Sequence, residues 1–155
     1  SEIEGNDAGW ALALAVLRHY VVNAYGRPRS ELMTLRPVPG GCGPARSLFR
    51  TAEGLGRWLT DGVPDGVEPD AVDPRRLVLR DGRSVTGSVL ADAHGEVVRV
   101  WEEVGGTVEF KAIPSPDGTC VVGLRGSSWE LSRDELDAWQ STFDEAVTRL
   151  VEAVG

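Results

Sequence analysis

One glycine-rich loop brings a thiol and a guanidinium close together in the sequence. Gly41, Cys42, Gly43 and Arg46 lie within residues 40–47, which we expect to lead into a helix. Free backbone amides and the helix dipole can hold an anion at such a position, and Arg46 can add positive charge. A thiol near a helix start can also ionise more easily and act as a nucleophile. The nucleotide-binding lysine motif is absent, so a plain irregular connection is the alternative to an anion or ligand site here.

Other combinations that could support catalysis are sparse. The chain has two histidines, His19 and His94, and no G-x-S-x-G elbow for a serine nucleophile. His19 falls in a predicted helix and His94 in a predicted turn, where structural or solvated roles are usual. Two histidines and the distant pair Cys42 and Cys120 do not form a zinc set, and either cysteine can serve as a small buried hydrophobe. We therefore expect no catalytic residues, no metal and no cofactor.

Composition limits the classes of partner. The 155 residues include 24 acidic and 16 basic ones, for a net charge of −8, which disfavours nucleic acids and anionic membranes as ligands. The longest early apolar run, residues 10–17, is too short to span a membrane and follows acidic residues, unlike a secretion signal. Two cysteines are too few for a disulfide framework. The sequence predicts a cytoplasmic protein.

The best-defined element is the helix predicted for residues 132–154. Ser132 and Glu135 form a capping box, which marks its start. Its apolar residues recur at steps of three and four, and acidic residues occupy the opposite face. The apolar stripe consists of Leu136, Trp139, Phe143, Val147, Leu150 and Val154. This helix should pack on the strands that precede it.

Two helices are predicted in the first part of the chain. The first runs from a cap at Asp7 to about Tyr25 and is apolar almost all the way round, so we expect deep burial or cover by a partner. Residues 27–44 contain many glycines and prolines, and only a short strand at 32–35 is predicted there. The second helix covers residues 45–60.

The second part of the chain predicts a β-meander. An acidic linker, residues 61–74, separates it from the helices. Asp81-Gly82 is a strong hairpin signal. The five predicted strands are residues 76–80, 84–90, 96–103, 107–113 and 119–125. We predict one α+β domain over residues 1–155, with helices in 7–60, the linker 61–74, a five-stranded antiparallel meander in 75–131, and an amphipathic C-terminal helix packed on the sheet.

Two stretches resemble the motifs of Sm-like RNA-binding barrels. Residues 79–89 contain a dipeptide hairpin followed by a glycine two positions after a strand valine, and residues 124–128 contain a strand ending in Arg-Gly. Membership would imply a ring-forming RNA binder. The resemblance would place Arg125 and the turn at 92–94 in the RNA pocket.

The element order is also similar to the helix-grip arrangement, in which an antiparallel sheet wraps a long C-terminal helix. That resemblance implies an apolar ligand cavity lined by Trp101, Phe110, Trp129 and Trp139. The opening strand of the fold is not recognisable in the sequence. Alternatively, these four side chains fill the core, as aromatic stripes usually do.

Absence of a catalytic set, together with the apolar first helix, favours a non-catalytic protein-interaction or accessory and regulatory module. We expect a protein partner or a homo-oligomer. The first alternative is a small-molecule binder or modest enzyme with a pocket between the sheet and the C-terminal helix. The second is the RNA-binding barrel.

Overall fold

The computed structural model describes the backbone of residues 2–155 and the side chains from residue 6 onward. It is an α+β structure with a five-stranded antiparallel sheet and a long C-terminal helix. The helices are α1 Glu2–Asn23, α2 Gly43–Arg46, α3 Ala52–Gly56 and α4 Arg133–Val154, with a 3₁₀ turn at Glu102–Val104. The strands are β1 Ser30–Val38, β2 Arg76–Val78, β3 Ser84–Thr86, β4 Val89–Ala93, β5 Glu96–Trp101, β6 Gly106–Pro114 and β7 Cys120–Ser128.

The main sheet has the order β1-β7-β6-β5-β4, and β2 pairs with β3 in a separate hairpin. Because side chains alternate along a strand, the sheet has two distinct faces. The face that we call inner carries α4 and includes Val108, Phe110 and Leu124. The face that we call outer carries α1 and includes Glu109 and Arg125.

Helix α4 confirms the sequence prediction. The Ser132 hydroxyl accepts from the Glu135 amide, and the Glu135 carboxylate accepts from the Ser132 amide, which satisfies two donors of the first turn. Trp139 and Phe143, from the predicted stripe, are buried against the inner face. Burial of this stripe fixes α4 on the sheet.

Strand β1 corrects the expectation of an irregular segment between Arg27 and Pro44. Nine residues, Ser30–Val38, pair with β7 along its whole length. Pro37 is tolerated because β1 is an edge strand, so its missing N–H removes no ladder bond to a second neighbour. This strand lies at the place in the element order where the helix-grip comparison lacked a strand.

The helix predicted for residues 45–60 is also wrong in its extent. Two short helices, α2 and α3, replace it, and Thr51 caps the second by accepting from the Gly54 amide. At Gly54 a Cβ would lie 2.9 Å from the Leu48 Cα, so this close turn requires glycine. Within the linker, Asp73 pairs with Arg50, and Val72 forms a bridge with Thr51, so the linker is partly attached to the preceding helices.

Two further boundaries differ from the prediction. Helix α1 begins at Glu2, well before the predicted cap at Asp7. The strand predicted for 84–90 is divided into β3 and β4 at Gly87, where a Cβ would collide with the Val100 carbonyl oxygen. Within residues 2–155, no helix is long and apolar enough to cross a membrane.

Candidate functional site

Helix α1 presents two stripes with the same spacing on opposite faces. Ala8, Leu12, Ala15 and His19 form the stripe directed at the sheet, and of these Ala8 and Leu12 are fully buried. Trp10, Leu14, Leu17 and Val21, which we call the outward stripe, are 70%, 58%, 54% and 53% exposed. Steps of four, three and four residues place each set on one face of a helix. The bulkier apolar side chains therefore point away from the protein.

The exposed apolar surface continues beyond the outward stripe. Val22 and Tyr25, at the C-terminal end of α1, are 72% and 79% exposed. Leu90 on edge strand β4 borders a cleft of about 380 Å³ together with Val22 and Arg18. The sequence predicted deep burial or cover by a partner for this helix. Deep burial is wrong for its outward half.

The sheet surface beneath α1 is charged. Glu109 on β6 lies opposite Arg125 on β7, and Arg125 donates to Glu31 on β1 at 3.2 Å. Lys111 lies 3.5 Å from Glu96 and 3.6 Å from Glu109, so the charges alternate in sign across the strands. Such a row stabilises the sheet through cross-strand pairs but offers little apolar surface to a covering helix.

Some buried polar atoms of the outer face lack hydrogen-bond partners in the described part of the chain. Among the described residues, four buried polar atoms of the outer face have no hydrogen-bond partner: Glu96 Oε1, Thr107 Oγ1, Arg125 Nε and Trp129 Nε1. Burial raises the pKa of Glu96, an effect that the nearby Lys111 partly offsets. Burial also lowers the pKa of His19 on α1. The face that carries α1 thus contains buried polar groups without partners within residues 6–155.

In the loop at 40–47, the structure contradicts the free thiol but not the arrangement of the other residues. The Cys42 sulfur is bonded to that of Cys120, so both the free-thiol interpretation and the assumption of unpaired cysteines are wrong. Arg46 donates to the Ala112 carbonyl at 3.1 Å and packs on Gly95. Gly41 in the loop and Gly43, the first residue of α2, have open space around them, and α2 is only four residues long. The disulfide ties this loop to the start of β7.

The two histidines lie apart in the fold. Asn23 Nδ2 donates to His19 Nδ1 within α1 at 3.2 Å, and the His19 ring lies tilted against Trp129, with ring centroids 6.0 Å apart. His94 has a left-handed backbone, φ 51°, in the turn between β4 and β5. Within residues 6–155, no group of three or more His, Cys, Asp or Glu side chains could hold a metal ion.

Three of the four aromatic residues predicted to line a pocket meet on the inner face. Trp101 lies 6.2 Å from Phe110 and 6.1 Å from Trp139, measured between ring centroids, and Phe143 lies 6.3 Å from Trp101. These three rings and that of Phe143 are buried and lie in edge or tilted contact. They fill the space between the sheet and α4. Trp129 does not join them; it lies on the outer side, 5.5 Å from Tyr20 of α1.

The segments that resemble Sm-like motifs do not form one barrel. Residues 79–86 belong to the β2–β3 hairpin, whereas residues 124–128 are part of β7 in the main sheet. Arg125 is engaged with Glu31, and Asp92 with Arg50. The resemblance therefore does not extend to the fold.

The sequence patterns did not predict two features of the structure. The first is the outward stripe of α1, whose signal was the pair of interleaved apolar series in one helix. The second is Arg99, a charged residue that lies on the inner face between Val97 and Trp101 and is 1% exposed. Its signal was an arginine at an inward position of an otherwise apolar strand.

Comparison with known proteins identifies the fold. No protein-family model and no curated protein matches the chain. Among solved structures, a conserved protein of unknown function from Enterococcus faecalis is similar with a TM-score of 0.57 and 14% identity, over 90% of this chain and 83% of that chain. A protein of unknown function from Staphylococcus aureus gives 0.59 and 12%, over 83% and 95%. DynU16, from the dynemicin biosynthetic locus, gives 0.62 and 13%, over 81% and 47%. At these identities the similarity concerns the fold alone.

Proposed function

We propose that this chain is a non-catalytic protein-interaction module, of the accessory or regulatory type, and that it binds through the outward stripe of α1. The observation that carries the proposal is the direction of the larger side chains. Trp10, Leu14, Leu17 and Val21 point to solvent while Ala8, Leu12 and Ala15 face the sheet. A helix that served only to cover the sheet would have the opposite distribution, because burial of apolar area is what stabilises such packing.

The occupant to which we commit is a second copy of the chain. The outward stripe has the four-three-four spacing with which helices pair side by side. The same stripe on a second copy supplies a complementary apolar surface. Ala11 and Ala13 flank the stripe and allow a second helix to approach closely. A twofold arrangement would bring the outward stripes of two copies together.

The exposed apolar area is close to what this association needs. The outward stripe together with Val22 and Tyr25 exposes roughly 600 Å² of apolar side chain, taking about 150 to 250 Å² for a whole aromatic residue and less for Leu or Val. Stable interfaces bury about 800 Å² per partner, so these side chains supply most of one. A patch of this size is also at the upper end of what monomers expose.

The decisive experiment is the molar mass of the full chain as a function of concentration, by size exclusion with light scattering. We expect wild type to form a dimer that dissociates on dilution. Leu17→Glu should be monomeric, because it puts a charge in the centre of the stripe. Ser141→Glu, an added charge at an exposed position of α4, is the matched control and should behave as wild type.

Two results would overturn the assignment. A wild-type chain that stays monomeric up to the highest attainable concentration would exclude the second copy as the occupant. If Leu17→Glu dimerises at the same concentrations as wild type, two copies associate through another surface. If wild type is monomeric but is retained by a different protein, and Leu17→Glu is not, the surface is correctly placed and the occupant is wrong.

A further inference from the structure

Arg99 is a buried charge that the packing of the protein does not explain. It lies on the inner face of β5 and is 1% exposed. Its one hydrogen bond within residues 6–155 is from Nη2 to the Pro74 carbonyl oxygen, at 2.6 Å. Its Nε and Nη1 are buried and have no partner among the described residues. Burial lowers the pKa of Arg99, yet a guanidinium stays protonated at neutral pH.

The nearest carboxylate does not neutralise this guanidinium directly. Asp73 accepts two hydrogen bonds from Arg50, one of them from Nε at 2.9 Å, and Arg50 also pairs with Asp92. Asp73 has φ 51°, a left-handed conformation that is unfavourable for a non-glycine residue before a proline. This backbone places the Pro74 carbonyl, a neutral acceptor, against Arg99.

The remaining surroundings of Arg99 are apolar. Val108 lies opposite it on β6, and its guanidinium carbon is 6.0 Å from the centre of the Phe110 ring. A desolvated cation with unmet donors destabilises a fold, and an apolar residue of similar size is usually as good or better at such a position. An arginine at this position therefore indicates a role other than stability.

We propose that Arg99 is the recognition group of a buried anion site whose ligand is a small monocarboxylate with an apolar remainder. A carboxylate matches the planar N–H donors of a guanidinium and can accept from the donors of Arg99 that lack a partner within the described structure. Val108 and Phe110 favour an alkyl group and disfavour a doubly charged, strongly hydrated phosphate. Leu77, Leu79 and Val85 of the β2–β3 hairpin are buried in the same core, so the proposal requires this hairpin and the adjoining Pro74 segment to move aside when the ligand enters.

Butanoate, with butanamide as its uncharged counterpart, tests the site by calorimetric titration and thermal melting at constant ionic strength. We expect butanoate to bind and stabilise wild type and butanamide not to. Arg99→Met should weaken butanoate binding by about 10- to 150-fold, the loss of hydrogen bonds to a charged group. Arg36→Met removes an exposed arginine of β1 and is the control, with unchanged affinity.

The melting temperature without ligand provides a second readout. If Arg99 is kept for a ligand, Arg99→Met should melt at or above the wild-type temperature, whereas a lower temperature would assign Arg99 a structural role and contradict the proposal. Absence of butanoate binding to wild type, or equal binding to Arg99→Met, would also overturn it. Arg99→Lys, which keeps the charge but not the planar set of donors, must also bind butanoate more weakly than wild type; equal affinity refutes the site. Self-association through α1 is independent of every one of these results.

Discussion

Phe143 provides the most direct energetic test of the contact between α4 and the sheet. Its side chain is fully buried and makes an edge contact with Trp101. Truncation in Phe143→Ala loses roughly 2 kcal/mol of transfer free energy, and the cavity left behind adds roughly 2 kcal/mol. We expect the free energy of unfolding to fall by about 4 kcal/mol.

Gly126 makes this prediction sharper. A Cβ at Gly126 would lie 3.1 Å from Phe143 Cε2, so Gly126→Ala should destabilise wild type by about 1 kcal/mol through overpacking. In a Phe143→Ala background the same methyl group enters the cavity. The loss of unfolding free energy in the double variant should therefore be smaller than the sum of the losses in the two single variants, by about 1 kcal/mol or more.

Urea unfolding followed by tryptophan fluorescence measures all three variants. The exposed position Ser141 supplies the control, since Ser141→Ala should change the unfolding free energy by less than about 0.5 kcal/mol. A loss below about 1.5 kcal/mol for Phe143→Ala, or strict additivity with Gly126→Ala, would show that α4 does not pack on β7 as described.

Three further results are expected. Replacing Cys42 and Cys120 by serine should cost about 2 to 5 kcal/mol, because the disulfide closes a long loop; melting of the oxidised, reduced and double-serine proteins checks this, and identical midpoints would contradict it. Asp144→Ala, a surface change by sequence alone, should cost about 1 to 3 kcal/mol in urea unfolding, because the buried Thr34 hydroxyl donates to Asp144; a cost under about 0.5 kcal/mol would refute that bond. Burial lowers the pKa of His19 below 6.5, so the stability that neutral His19 contributes is present above pH 6.5 and is lost as the pH falls through the lowered pKa. In His19→Gln the melting temperature should therefore depend less on pH over that range than in wild type; an unchanged dependence would contradict this.

The local signals of the sequence predicted the elements whose structure depends on near neighbours. The capping box at Ser132 and Glu135 and the Asp81-Gly82 hairpin both form as expected. Strand β1 could not be recognised, because its tolerance of Pro37 depends on being the last strand of the sheet. That position follows from pairing with β7, which is distant in the sequence.

The candidate sites depended more on long-range structure. Sequence spacing could not show that Cys42 bonds to Cys120, which removed the thiol from the chemistry. The apolar periodicity of α1 indicated a need for cover but not which face the sheet would provide. Arg99 was hidden in a predicted strand, because only the pairing of β5 with β6 fixes which face is inner.

Trp10 offers the most direct measurement of the proposed interaction. It is the exposed member of the five tryptophans, since Trp58, Trp101, Trp129 and Trp139 are all buried. Acrylamide quenching of wild type, compared with Trp10→Phe across a dilution series, isolates its accessibility. If α1 pairs with α1 of a second copy, Trp10 should be quenched in dilute protein and become protected as the concentration rises; quenching that stays complete at every concentration would contradict the interaction.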